Sequence, residues 1–554
     1  MDYNILIGGA AGQGMDTVAS MLTKVLQRSG YHVFTTSDYR SRVRGGHNFF
    51  QIRFSNKVIY SPSRELDVIF ALNEETLELH MPRLKPDGVS FADSSIEGHE
   101  ETKKLDLIKT AKELGNEKMI TTLGLGVIMG RYGIDVEFGK AVIGETFKET
   151  LREMNYAALE KGYAHLEVDK IELDSKETIL LDGNSAIGLG AVAAGCRFYC
   201  AYPMTPSSSL LGYMASAAEE LNIVVDQVED EVAALNMALG ASYAGVRAMT
   251  GSSGGGLALM QEALSMAGII ETPIVIANVQ RPGPATGLPT DTEQADLRFL
   301  IHGGHGEFPR KIIAPRTVED AFHQTVRAFN TAEKYQIPVI LMSDKHLADS
   351  AMNVTPFDLS AVEINRYLAN PADYEPGTYK RYAFTNTGVS PRLIPGKSNG
   401  NLVMVDSDEH NEYGRIDESS DNRVKMVDKR HKKFEGLIEE LEEPWEIGVD
   451  DFNTLIVSWG STYGVVKEAV ELLNEKGHKI KALSYADVFP LPLKKFTEYY
   501  EKADKYIVIE MNKDGQLEGL IRQEALVKAD FIIKKYDGRT FYLEELVERI
   551  EEAL

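Results

Sequence analysis

The stretch Tyr202-Pro203-Met204-Thr205-Pro206 constrains this chain most, because two prolines three positions apart stop both a strand ladder and a helix. Residues 198–202 form a short apolar run rich in aromatics, which predicts a strand. After Pro206, three serines lead into Leu210, Leu211, Met214 and Ala215 at helical spacing. The strand must end in a fixed turn, and the helix that follows turns its free N–H groups toward Thr205. That outlines a site for a small anion or a carbonyl. An ordinary strand-to-helix turn with serine caps would read the same on local pattern alone.

The same order of strand, small-residue turn and helix recurs along the chain, which predicts an α/β fold with mainly parallel sheets. At 554 residues the length supports roughly three to four domains. The pattern divides as 1–178, 179–365, a connecting segment 366–450 and a final unit 451–554. Lys and Arg number 59 against 83 Asp and Glu, a net charge of −24, which argues against non-specific nucleic-acid binding but leaves room for anions in a local basic pocket. The longest apolar run, residues 186–196, falls short of the ~18 residues a membrane span requires, and no leader-like segment stands at the start, so a cytoplasmic protein without membrane contact is expected. Cys196 and Cys200 are the sole cysteines. Two thiolates cannot complete a four-cysteine zinc or iron-sulfur site, and buried reduced thiols are the simpler expectation.

In the first unit, residues 3–7 predict a strand, Gly8 to Gly14 a glycine-rich loop, and Val18, Leu22, Val25 and Leu26 the buried stripe of a helix. Strand, glycine loop and helix can cradle phosphate on backbone N–H groups, and Gly12 and Gly14 are the candidate positions. The spacing satisfies neither the dinucleotide fingerprint nor the P-loop. Arg40, Arg42 and Arg44 run into Gly45-Gly46 between two further strands, which forms either an anion pocket or a solvated sheet edge. Residues 68–72, 88–92 and 119–122 predict strands; 124–129 and 138–151 predict helices.

In the second unit, Val228-Glu229-Asp230-Glu231 opens an alanine-rich helix after a β-branched strand. Three acids at a helix start complement its dipole, and a carboxyl at the carboxyl end of a strand is also where ligands bind in open α/β sheets. Thr250-Gly251-Ser252-Ser253-Gly254-Gly255-Gly256 allows close backbone approach to a flat or anionic ligand, or is a mobile linker. Residues 273–279 predict a buried strand delivering Arg281 into a loop of prolines and glycines ending at Thr290, and a lone arginine there suits a carboxylate. His302 and His305 lack partners at metal-ligand spacing and read as loop residues.

Tyr-Pro-Met-Thr-Pro-Ser-Ser, the Glu231 helix, Thr-Gly-Ser-Ser-Gly-Gly-Gly-Leu and Arg-Pro-Gly-Pro-Ala-Thr-Gly-Leu-Pro-Thr, in that order, resemble the alpha subunit of 2-oxoacid:ferredoxin oxidoreductases. The glycine-rich start and the Arg-Gly-Gly segment resemble the gamma subunit, here fused ahead of alpha. The resemblance implies a thiamine pyrimidine-binding domain and a transketolase C-terminal-like domain. It implies thiamine diphosphate shared with a beta subunit that supplies Mg2+ and a [4Fe-4S] cluster, in an (alpha-beta)2 assembly, with ferredoxin as electron acceptor and coenzyme A as co-substrate. Glu231 is implied as the catalytic carboxyl on the aminopyrimidine, with Thr250 and Ser252 beside the thiamine and Glu229 and Asp230 as the other carboxyls in reach. Tyr202, Thr205, Arg281 and Thr290 are implied around the oxoacid, and Gly12, Gly14 and Arg44 around coenzyme A. Met204 and Ala285 stand where the family more often has Ile and Ser. The oxoacid expected is 2-oxoglutarate, with pyruvate, a branched-chain or an aryl-pyruvate acid as alternatives. A non-catalytic anion- or nucleotide-binding scaffold is the alternative of another class.

Residues 371–399, rich in Pro, Gly, Tyr and Ser, predict a long ordered connection, and 424–441 a solvated amphipathic helix. Beyond it the pattern predicts strand Thr454–Trp459, helix Tyr463–Glu475, and strands Ile480–Tyr485 and Lys505–Glu510. Glu510-Met511-Asn512 and Gly515-Gln516-Leu517 match the family pattern without a chemical role.

Overall fold

A computed structural model describes residues 2–40, 46–164 and 177–554. Two compact units emerge, one of Met1–Asp182, Asp349–Phe357 and Phe541–Leu546, the other of Gly183–Ala348, Asp358–Thr540 and Val547–Leu554. The architecture is α/β in both.

The first unit holds an eight-stranded sheet with Asp2–Ala10 near its middle. Asp2–Ala10 is parallel to Leu66–Ala71 on one side and antiparallel to His47–Ser55 on the other. That antiparallel side continues through His32–Asp38, which joins His47–Ser55 through the arginine-rich connection. Residues 119–122 are helical rather than a strand, within a 3-10 turn and the helix Ile120–Arg131. That helix is buried all round, so its short apolar run carried no period to tell it from a strand. Its glycines set the packing: a Cβ on Gly126 would lie 2.3 Å from the Leu159 carbonyl oxygen, so it crosses Glu149–Tyr163 at backbone distance. The helix expected over 138–151 is two, Val136–Thr146 and Glu149–Tyr163, because Phe147 takes extended backbone between them.

The second unit carries two sheets. The larger runs Asp487–Phe489, Lys311–Ile313, Pro338–Asp344, Ile274–Gln280, Ala248–Ser252, Phe198–Ala201, Val224–Gln227, parallel except at the Asp487–Phe489 edge. The chain leaves Phe198–Ala201 toward Val224–Gln227 and then returns to Ala248–Ser252 on its other side, so the order reverses between Phe198–Ala201 and Ala248–Ser252. Open α/β sheets bind ligands at the carboxyl ends of strands at such a reversal. The smaller sheet holds Thr454–Trp459, Ile480–Tyr485 and Lys505–Glu510 at the bounds expected from sequence. Glu510 is buried there, accepting from the Leu517 and Glu518 N–H groups and from Asn512 Nδ2 at 2.8 to 2.9 Å. The Glu-Met-Asn motif thus caps the helix Gln516–Ala525.

The helix Ser420–Glu439 corrects the expectation of a solvated charge run: Lys429 and Lys433 are buried. Lys429 Nζ donates to both oxygens of buried Glu271 at 2.7 and 2.8 Å, and Lys433 Nζ lies 2.5 Å from Glu271 Oε2. Arg381, from the irregular connecting segment, donates to the Glu271 carbonyl at 2.6 Å and to Gln336 Oε1 at 2.8 Å. Lysines that repeat along a helix face read as solvated until an acid distant in sequence closes on them. Burial, with Lys429 and Arg381 nearby, pushes the Lys433 amine down to about 7 against the opposing pull of Glu271.

Lys433 therefore binds fewer protons folded than unfolded between pH about 7 and its ordinary 10.5, and its contribution to stability rises with pH across that window. The free energy of opening of Ser420–Glu439, read from amide hydrogen exchange, should rise in the wild type relative to Lys433→Met by roughly 1 to 2 kcal/mol between pH about 7.5 and 9. A constant difference would refute the shift. Glu271→Gln, which strands two buried ammonium groups, should cost about 3 to 5 kcal/mol.

Candidate functional site

The turn after Phe198–Ala201, the end of Ala248–Ser252 and the loop after Ile274–Gln280 meet at the carboxyl edge of the larger sheet. Thr205 and Arg281 come together there, with Arg281 Nη1 donating to the Thr205 carbonyl at 2.5 Å. Burial lowers the pKa of Arg281 while Asp296 opposes it. No other acceptor engages the guanidinium among the described residues.

Of the three acids at the helix Glu231–Tyr243, one is internal. Glu229 and Asp230 are exposed, and Asp230 is spent as the N-cap, accepting from the Ala233 N–H at 2.7 Å. Glu231 is 3 % exposed, and its Oε1 has no hydrogen-bond partner among the described residues. The glycine run after Ser252 is helix rather than linker, Gly254–Leu259, and it fits against this carboxyl. A Cβ on Gly256 would lie 2.0 Å from Ser252 Oγ and 3.0 Å from Glu231 Oε1. Any larger residue at 256 would collide with both groups. Thr250 Oγ1 and Ser253 Oγ are also buried without partners among the described residues, while Ser252 Oγ reaches Met204 Sδ at 3.6 Å. Orphaned buried oxygens are uncommon in a finished core, and a cluster of them at a sheet switch point fits a flat ligand with both donors and acceptors, such as an aminopyrimidine.

Tyr202 is exposed, at the rim of the turn. Thr290 is buried at the far end of the Arg281 loop and makes no hydrogen bond to Arg281. Two groups escaped the sequence reading. Asn278, buried in the strand Ile274–Gln280, donates to Asp296 Oδ2 at 2.9 Å, and that carboxyl lies against Gly254, where a Cβ would come within 2.6 Å. Glu293 is half-buried, and burial together with the Asp296 charge pushes its carboxyl up to about 7. An asparagine inside an otherwise apolar strand was the available signal.

His302 and His305 belong to a structural loop, where the His305 N–H donates to Ser265 Oγ at 2.7 Å. Cys196 and Cys200 are buried, and burial pushes both thiols up to about 12. In the first unit, Gly12 and Gly14 adopt left-handed φ of 92° and 83°, and Gly14 caps the helix Met15–Arg28 with no side chain on its free N–H groups. Arg40 is exposed, whereas Arg42 and Arg44 lie outside the described residues. No helix among the described residues is long and apolar enough to cross a membrane.

Three family models match: "Pyruvate ferredoxin/flavodoxin oxidoreductase" over residues 4–165, "Pyruvate flavodoxin/ferredoxin oxidoreductase, thiamine diP-bdg" over 189–429, and "Pyruvate:ferredoxin oxidoreductase core domain II" over 453–546. The 2-oxoacid:ferredoxin oxidoreductase subunit alpha of Sulfolobus sp is 32% identical, over 100% of this chain and 96% of that protein. The 2-oxoglutarate synthase subunit KorA of Archaeoglobus fulgidus is 33% identical and is matched over its whole length by 68% of this chain, so about a third of this chain has no counterpart in it. Among solved structures, 2-oxoglutarate:ferredoxin oxidoreductase from Magnetococcus marinus, with 2-oxoglutarate, coenzyme A and succinyl-CoA bound, aligns over 100% of this chain and 99% of that one, at 33% identity and a TM-score of 0.92. Its thiamine diphosphate-binding domain and its end-to-end match to alpha subunits establish that the chain belongs to the 2-oxoacid:ferredoxin oxidoreductases.

Proposed function

We propose that this chain is the oxoacid- and aminopyrimidine-holding half of an enzyme that oxidatively decarboxylates 2-oxoglutarate, transfers the acyl group to coenzyme A and reduces ferredoxin. A beta subunit, in an (alpha-beta)2 assembly, supplies Mg2+ for the diphosphate and a [4Fe-4S] cluster. The observation that carries this reading is the buried Glu231 carboxyl with an Oε1 unpartnered among the described residues, packed against the glycine-rich helix start, in the same sheet's carboxyl-edge site as an arginine with free donors. An anion-binding scaffold has no use for that pairing. Support for 2-oxoglutarate over pyruvate comes from the solved relative that spans the whole chain and bound that acid.

Thiamine diphosphate, when bound, supplies the electron sink for decarboxylation. Glu231 would hold the aminopyrimidine through its carboxyl, placed to share a proton with a ring nitrogen, and the ring so held would supply a base from its exocyclic nitrogen. Thr250 and Ser253 would offer hydroxyls to the same ring. Arg281, fixed by one N–H on the Thr205 carbonyl, turns its remaining donors to the C1 carboxylate of the oxoacid, for which a planar guanidinium is matched. Tyr202 and Thr290 border that acid. In the first unit, Gly12, Gly14 and the arginines ending at Arg44 receive the phosphates of coenzyme A.

Reconstituted with its beta partner, the enzyme should turn over 2-oxoglutarate in preference to pyruvate, branched-chain and aryl-pyruvate acids in a panel assay. The chain purified alone should be inactive and show no iron-sulfur band near ~400 nm, since its thiols cannot ligate a cluster. Preference for another acid moves the substrate assignment, and a stoichiometric band moves the cluster.

Arg44→Ala should raise KM for coenzyme A and leave the oxoacid KM alone. The reverse pattern would take coenzyme A off this segment.

Glu231→Gln keeps the shape of the side chain and removes its exchangeable acid. It should slow both turnover and hydrogen exchange at the thiazolium C2 by roughly 10²-fold or more, with a much smaller loss of cofactor affinity. Glu229→Gln and Asp230→Asn should act only through helix-start electrostatics, about 0.3 to 1 kcal/mol of stability. Undiminished C2 exchange in the Glu231 variant would sink its role.

A further inference from the structure

Outside the site just described, a chain of hydrogen bonds in the first unit ends on a donor with no partner among the described residues. His47 opens the strand His47–Ser55 and pairs directly with Ala10, the last residue of the strand that feeds the glycine-rich loop. Its imidazole is 9 % exposed, stacked on Phe49 and held against His80, the last residue of the helix Glu74–His80. His47 Nε2 and His80 Nε2 are 2.8 Å apart, and Arg83 Nη1 lies 3.2 Å from His80 Nδ1.

These contacts fix every proton. A guanidinium donates only, so His80 Nδ1 accepts and carries no hydrogen. His80 therefore bears its hydrogen on Nε2 and donates it to His47. His47 Nε2 must then accept, which leaves its hydrogen on Nδ1. Arg83 is itself locked, with Nη2 donating to Gln51 Oε1 at 2.7 Å and Nε to the Arg64 carbonyl at 2.9 Å. Burial, the Arg83 charge and His47 push His80 down to about 3, so the pair stays neutral at working pH. His47 Nδ1 is buried without a partner among the described residues. A buried N–H donor in a finished protein has an acceptor, so this one awaits a ligand.

Its strand pairing with Ala10 sets His47 where the glycine-rich loop begins, so the acceptor belongs to the ligand which that loop receives. The phosphates have their own donors in the N–H groups of the uncapped helix Met15–Arg28. We infer that His47 Nδ1–H donates to an amide carbonyl oxygen of the pantetheine arm of coenzyme A, and that His80 and Arg83 are positioning residues that keep the hydrogen on that nitrogen. The inference rests on the reading that coenzyme A meets the first unit.

The test uses the full chain, reconstituted with its partner and labelled with 15N-histidine. Imidazole spectra should show His47 protonated on Nδ1 and His80 on Nε2. Coenzyme A and pantetheine should both shift the His47 Nδ1 hydrogen, and adenosine 3′,5′-bisphosphate should not. Arg83→Met, which frees His80 Nδ1, should give His47 a mixed tautomer. His47→Asn, whose amide N–H stands where Nδ1–H stood, should keep KM for coenzyme A within about threefold. His47→Gln, which mimics Nε2 instead, should raise it about tenfold, the loss of one hydrogen bond, with the oxoacid KM unchanged. Equal losses in the Asn and Gln variants would make His47 structural. A shift with the bisphosphate and none with pantetheine would overturn the amide assignment. Coenzyme A that moves other first-unit signals but not His47 would remove the donor and leave the coenzyme reading standing, whereas coenzyme A that moves no first-unit signal would remove both.

Discussion

The absence of a side chain at Gly256 is the constraint on which the central site depends. The helix Gly254–Leu259 starts close against the Glu231 carboxyl on one side and the Asp296 carboxyl on the other, and a methyl group at Gly254 or Gly256 would collide with one of them. The contact lies at the carboxyl ends of the strands where the sheet reverses its order, the place at which open α/β sheets bind ligands. With the glycines in place, the Glu231 carboxyl packs into the core with its Oε1 unpartnered among the described residues. That is an unfavourable arrangement for a core, and it is the kind of local cost that marks a functional site.

The same unit is held by polar groups buried in pairs and networks. Lys311 and Arg327 meet Asp487, Arg316 meets Asp320 while its guanidinium covers the Trp445 ring at 3.4 Å, and Asp344 accepts from Ser461. Such groups contribute little net stability but are costly when one partner is removed, so they fix which surfaces join more than how tightly. The irregular stretch around Arg381 and Tyr382 is ordered on these terms, Tyr382 OH donating to the Ile270 carbonyl at 3.2 Å. It carries no periodic pattern because its partners are backbone and buried charge.

What was legible in the sequence followed from local rules. Proline spacing ended the strand at Tyr202, and apolar periodicity gave the last strands and the helix Tyr463–Glu475 at their bounds. Arg281 and Thr205 were singled out by residue type, and their contact follows from the parallel order of the strands that deliver them. What was not legible depended on distant partners. Lys433 reads as surface until Glu271 closes on it, residues 119–122 read as strand although the helix expected over 124–129 extends back to Ile120, because burial on every side removes the helical period, and nothing in the sequence singles out His47 until His80 and Arg83 fix its proton.

The two thiols have a practical side. Cys196 and Cys200 are sealed in the core, and burial keeps them protonated far above neutral pH, where a thiol is a poor nucleophile. A thiol-directed alkylating reagent at neutral pH therefore passes over the folded chain. In a complex with another subunit, such a reagent would count that subunit's accessible cysteines against a silent background, and modification at Cys196 or Cys200 would report that this chain had opened.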